Sequence, residues 1–308
     1  MKLFEQASGI SHWRRAEVFD DFLHVAVITL EHEPAHLDSL RTHGRPLRIE
    51  EETPEAQTTW RTLQQRYEAH WPTIYAAFCD AFAVLKQAAL LDWHDWLGQT
   101  YMALEIGNPH KGQYFTPWEV ARLMADVTYS PDRIHDRVKA ALMHPDNVHG
   151  VAMLLAGTLI TDAAKAEEWF LQNVLPAALP YIEPVTVHDP ACGSGVMLLA
   201  IASGVPWWAN LAGIVQYSGQ DIDQTCVLMA RAQLMLYGLN GHRARCMLAM
   251  QPESPSEAAS DQVEPPALQP VGTDVKIAQL SLFGDPVEQT RRITLRPRSR
   301  KQMEVTGE

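Results

Sequence analysis

One stretch constrains this chain more than any other: VTVHDPACGSGVMLLA, residues 185–200. Val185 to His188 alternates like a strand, a glycine-rich loop follows, and Val196 to Ser203 then carries helical spacing. The pattern recurs at once. Gln216 to Asp221 forms a second strand, Asp223 caps a helix from Gln224 to Tyr237, Gly238 ends it, and Ala244 to Leu248 forms a third strand. Strands alternating with helices in this way predict an α/β core.

The loop chemistry is narrow. Gly193 and Gly195 form GxG, which lets backbone approach a ligand at a helix N-terminus, where negative charge is favoured. The third glycine of the dinucleotide fingerprint is missing, and no GK[ST] follows, which excludes a nucleoside-triphosphate loop. Asp189 ends the first strand and Asp221 the second. A carboxylate at the end of the second strand accepts both hydroxyls of an adenosine ribose. Asp189 meets a cation such as the amino group of a methionine moiety. The pair suits S-adenosylmethionine better than a dinucleotide, and a nicotinamide oxidoreductase leaves the segment GQYFTP unexplained.

Residues 1–97 read as a helical N-terminal region. Phe19, Phe22, Leu23, Ala26 and Val27 recur at helical spacing, as do Tyr75, Phe78, Cys79, Phe82 and Leu85, around a turn-rich stretch from Thr42 to Pro54. Trp60, Trp71, Trp93 and Trp96 read as core aromatics in preference to a base-stacking platform. Phe22 to Leu30 is too short to span a bilayer, and a cytoplasmic protein is expected. Further on, Thr116 is placed to cap a helix starting at Pro117. Residues 131–180 read as more helix, ended by Pro176 and Pro180.

The four cysteines form no CxxC and the thirteen histidines no HExxH, so neither a disulfide framework nor a metal site is expected. A net charge of −12 argues against a uniformly basic shell.

Three segments stand in a telling order: GQYFTPWEVARLM, then DPACGSG, then GQDIDQTCVLMARAQLMLYGLNG. Together, over residues 98–241, they resemble the adenine-N6 DNA methyltransferases, most nearly the modification subunit of bacterial type I restriction-modification systems. The resemblance implies a Rossmann-like core using S-adenosylmethionine. It implies that Tyr114, Phe115, Thr116 and Pro117 close over the methionine end of the cofactor. Asp189, Pro190, Ala191, Cys192, Gly193, Ser194 and Gly195 hold the amino-acid part, Asp221 the ribose, and Ile222 flanks the adenine. It implies DNA as partner and DNA modification as the role.

The family's [ND]PP[YFW] segment, which polarises the adenine amine and stacks the flipped base, has no counterpart. Asn108-Pro109-His110 lacks the second proline and the ring, and Glu264-Pro265-Pro266-Ala267 lacks the amide and the ring. Asp274 to Gly284 only echoes it, with Gln279 near the amide position and Phe283 near the aromatic one. The acid expected by Arg245 and Cys246 is missing too. The catalytic residues are therefore unassigned, and the SAM-binding region, residues 98–250, reads as a cofactor half with an incomplete sheet. A partner chain completing the catalytic half is one expectation. A catalytically silent cofactor-binding or DNA-associated module is the alternative.

Residues 251–276, rich in proline, read as a disordered linker. Residues 277–308 read as a tail with two elements. Gln279, Leu280, Leu282 and Phe283, within QLSLF, resemble the peptide that binds the bacterial sliding clamp. A patch that packs back on its own domain is the other reading. Arg291, Arg292, Arg296, Arg298, Arg300 and Lys301 form a basic cluster suited to nucleic-acid phosphates.

Overall fold

The computed structural model describes residues 13–106, 115–130, 132–239 and 245–248. Tyr114, the three [ND]PP[YFW]-like segments, the linker, QLSLF and the basic cluster all lie outside these residues.

The chain begins with α1 (Arg15–His43), a 29-residue helix. Glu17 accepts the Arg14 backbone N–H at 3.0 Å at its start, and Gly44, at φ +69°, closes its end by donating to the Leu40 carbonyl. Phe19, Phe22, Leu23, Ala26 and Val27 form its buried face. Thr53 and Pro54 open α2 (Pro54–Tyr67), the threonine accepting from Ala56 N–H and the proline occupying a position whose N–H would have no helical partner. A kink at Glu68, φ +45°, leads into α3 (Trp71–Leu91). On α3, Ile74, Phe78 and Leu85 are buried, whereas Tyr75 and Cys79 lie on the outer side. The helical run Pro54–Leu91 is long and apolar enough to cross a membrane by length and composition alone. Its buried stripe packs into the helical core.

The tryptophans pack within the chain. Trp60 meets Trp71 edge-on, Trp93 stacks on Tyr237 at 4.4 Å and 8°, and Trp96 lies against the helical core. A short helix, α4 (Trp96–Ala103), follows with Asp95 as its N-cap.

The next helix, α5 (Trp118–Thr128), corrects the capping expectation. Pro117 is itself the cap residue, at φ −56° and ψ 144°, and Thr116 makes no cap. Its extended ψ keeps Pro117 outside the helix. Residues 132–181 are not one helix but a series: α6 (Asp132–Leu142), α7 (Val148–Gly157), α8 (Ala163–Trp169), a π-helical turn (Phe170–Val174), α9 (Leu175–Ala178) and a 3-10 turn (Leu179–Tyr181). Pro176 begins α9 instead of ending a helix. Proline at a helix's first turn forfeits no intrahelical hydrogen bond, and the preceding π-turn resets the ladder for it.

Three strands, β1 (Val185–Asp189), β2 (Val215–Asp221) and β3 (Arg245–Leu248), pair in parallel in the order β1-β2-β3, with Val185 opposite Val215 and Ser218 opposite Arg245. Between β1 and β2 the chain forms α10 (Val196–Gly204) and α11 (Trp207–Leu211), and between β2 and β3 it forms α12 (Gln224–Leu236). On β2, Val215, Tyr217 and Gly219 are buried while Gln216, Ser218 and Gln220 alternate on the wetter face. The sheet core adds Leu198 and Leu199 of α10.

Two cores share α12. Cys226, Met229, Ala232 and Met235 enter the helical core, and Val227, Ala230 and Leu234 enter the sheet core. The helix is therefore buried over most of its circumference, with Thr225 and Arg231 half-buried on it. On one side lies α1: Thr225 donates to Asp20 at 2.9 Å and Arg231 pairs with Glu31.

Under the sheet, the Tyr217 hydroxyl donates to Asn210 Oδ1 at 2.7 Å, and Asn210 Nδ2 donates to the Ala202 carbonyl at 3.0 Å. Both side chains are buried. Tyr217→Phe strands the Asn210 acceptor, and we expect it to cost about 1–2 kcal/mol, read as a lower urea midpoint at unchanged slope.

Candidate functional site

β1 ends at Asp189, whose Oδ1 accepts the Ala191 N–H at 3.0 Å and turns the chain out of the strand. The loop is then tied to the end of β2. Cys192 N–H donates to the Gln220 carbonyl at 2.8 Å, and Gly193 N–H donates to Asp221 Oδ2 at 2.9 Å. Gly193 has φ +52° and Gly195 has φ +89°, both in the left-handed region that L side chains rarely adopt. Space is short as well. A Cβ on Gly193 would sit 3.0 Å from the Phe115 ring, and one on Gly195 would sit 3.2 Å from Ala230 Cβ. Glycine is required here by both backbone and packing.

Gly195 is also the N-cap residue of α10, and no side chain caps that helix. Its first-turn N–H groups point out of the loop with the positive end of the helix dipole. Asp221 has a double duty: Oδ2 takes Gly193 N–H and Oδ1 takes Asp223 N–H at 2.9 Å. Each carboxylate oxygen has a second lone pair, so the group retains capacity for two further hydroxyl donors. Asp223 in turn accepts Thr225 N–H at 3.0 Å and starts α12.

The loop, Phe115 and Asp221 thus come together at the carboxyl ends of β1 and β2. Phe115 is backed by Tyr101, ring centroids 5.4 Å apart. Burial pushes the Tyr101 phenol up to about 12, with the Asp223 charge adding to the shift. Ile222, next to Asp221, is 76% exposed and offers an apolar side chain beside it. Thr116 is half-buried and Pro117 exposed where the chain enters α5. Ser194 is fully buried, with its hydroxyl bound to Asp95 Oδ2 at 2.6 Å. The sequence reading omitted Asp95 and Gln233, which reach this loop from distant helices. Their signals were an aspartate three residues before Gly98, the spacing of an N-cap, and a glutamine in an otherwise apolar run from Cys226 to Met235 broken only by Arg231.

Among the described residues, no group of three or more histidine, cysteine, aspartate or glutamate side chains forms a metal cluster. The arrangement offers two carboxylates, a helix N-terminus, glycine amides and an apolar wall around one crevice. Adjacent parallel strands place such crevices at their carboxyl ends.

No curated protein and no solved structure matches this chain. Residues 173–264 match the family model described as N-6 DNA Methylase, which spans the loop, Asp221 and α12 and begins after the FTP segment. Over those residues, which carry the DPACGSG loop, the chain is similar to the N-6 DNA methylases, and the match is consistent with an adenine-N6 methyltransferase family.

Proposed function

We propose that this chain binds S-adenosylmethionine at the ends of β1 and β2 and serves adenine-N6 methylation of DNA. The observation that carries the reading is the bond from Gly193 N–H to Asp221, which brings the glycine loop and the acid of the second strand into one crevice. The strand order β1-β2-β3, with helices at each crossover, supports a Rossmann-like methyltransferase half. The likeness to type I modification subunits belongs to the same proposal.

The residues present fit the cofactor. Asp221 accepts the ribose hydroxyls, Ile222 flanks the adenine, Asp189 faces the methionine ammonium, and the α10 N-terminus receives its carboxylate. Phe115, with Thr116 and Pro117, forms the wall at the methionine end; Tyr114 belongs to the same proposal by sequence and lies outside the described residues. When bound, S-adenosylmethionine supplies an electrophilic methyl group. This chain's residues hold it and exclude water from one side of it.

Acceptors for the adenine amine come from residues outside the described ones or from a partner chain. Gln279, Leu280, Leu282 and Phe283 are the recruiting peptide of the proposal, toward a sliding clamp, and the basic cluster supplies its phosphate contacts.

Calorimetric titration tests the binding step. We expect micromolar affinity for S-adenosylmethionine and none for NAD or ATP, and a flat titration overturns the proposal. Tritium transfer from labelled cofactor to adenine-containing DNA tests the chemistry. Binding with no transfer, with and without candidate partner chains, leaves the silent-module alternative in its place.

A further inference from the structure

Ser194 lies between the two left-handed glycines, and it is clamped from beneath on both its side chain and its backbone. Its hydroxyl donates to Asp95 Oδ2 at 2.6 Å, and its carbonyl accepts from Gln233 Nε2 at 2.8 Å. Asp95 Oδ1 accepts from Gln233 Nε2 at 2.8 Å and from Gly98 N–H at 2.9 Å, and Gln233 Oε1 accepts Leu97 N–H at 3.1 Å. Asp95, Ser194 and Gln233 are all buried. The polar side-chain atoms of the three are thus spent on one another or on the start of α4. Gly98 makes room for this: a Cβ there would lie 2.2 Å from Asp95 Oδ2 and 2.6 Å from Ser194 Oγ.

A closed polar network in a dry interior resists displacement, because moving any member leaves a buried donor or acceptor unmet. This network meets the cofactor loop through the backbone on either side of Ser194. Above the loop, Asp221 holds Gly193; below it, Asp95 and Gln233 hold Ser194. The spacing between those two anchors sets where the amides of Gly193 and of the first α10 turn lie.

We infer that Asp95 is a positioning residue for the cofactor loop, acting through Ser194 with Gln233 to fix the loop backbone at binding height without touching the ligand. The inference rests on the methyl-donor reading for the identity of the ligand, and on the hydrogen bonds alone for the clamp. It also gives the helical region a part in the site, since α4 carries the capping aspartate.

The test uses the full chain with Asp95→Asn and Ser194→Ala, each measured well below its own melting midpoint. Two readouts are taken: S-adenosylmethionine affinity by calorimetry, and amide hydrogen exchange across residues 189–196 without ligand. We expect about tenfold weaker binding in each variant, since each removes one buried charge-assisted hydrogen bond, with faster exchange confined to the loop. A purely structural role lowers the melting midpoint but leaves the affinity of the folded protein and the loop exchange unchanged; that result overturns the inference. If the wild type does not bind S-adenosylmethionine yet both variants loosen the loop, the clamp stands and the ligand reading falls. If the wild type does not bind S-adenosylmethionine and loop exchange is unchanged in both variants, both fall. Should Asp95→Asn fail to fold, Ser194→Ala carries the same comparison, because it removes the loop's side of the contact and leaves the α4 cap intact.

Discussion

Asp221→Ala is expected to weaken S-adenosylmethionine binding by about a hundredfold, from the loss of two hydrogen bonds to a charged acceptor at about 1.5 kcal/mol each. The same substitution frees Gly193 N–H and Asp223 N–H, so the loop and the start of α12 both lose an anchor. Asp221→Asn separates these effects. Its side-chain carbonyl oxygen keeps one backbone donor satisfied, while the charge and the second acceptor are gone, so it should fall between alanine and wild type. Titration of the three proteins checks the order. Equal affinities would place the ribose elsewhere and remove the main support for the crevice.

The second large effect falls on stability. Gly195→Ala forces an L side chain to φ +89° and sets its Cβ 3.2 Å from Ala230 Cβ and 3.3 Å from Ala230 Cα. The backbone strain and the overpacking each cost about 1–3 kcal/mol. Ala230 sits on a helix buried on both sides and has nowhere to retreat. We expect the melting midpoint to drop by several degrees, with cofactor affinity falling too, because the cap of α10 tilts away from the crevice. Calorimetric melting with and without S-adenosylmethionine reads both. An unchanged midpoint would mean the loop relaxes without reaching α12.

What the residues announced in advance was local. From Val185 to Leu236, β1, α10, β2 and α12 follow from apolar spacing and turn chemistry, each with one end displaced by one residue, whereas the short helix α11 was not anticipated. Asp223 as a cap and Gly238 as a stop, at φ +68°, are short-range chemistry. The crevice residues were legible for the same reason, since a strand end, a glycine turn and a helix start are contiguous. The Asp95 clamp was not. Asp95 and Ser194 are 99 positions apart and Ser194 and Gln233 39, and no spacing rule links an N-cap to a loop on another element. The π-turn at Phe170–Val174 was hidden too. Proline reads as a terminator from sequence, whereas here the ladder shifts by one residue and admits Pro176 at a new first turn.

One feature of the fold reaches further than its own packing. Because α12 gives one side to the helical core and the other to the sheet, it works as a party wall, and neither room can be emptied while the other stays furnished. Removing residues 1–97 would lay Cys226, Met229, Ala232 and Met235 open to water on the very helix whose N-cap, Asp223, is hydrogen-bonded to Asp221. The helical region is therefore not an appendage to a self-sufficient sheet, and a ligand that steadies the crevice is expected to raise the heat resistance of the helices upstream as well.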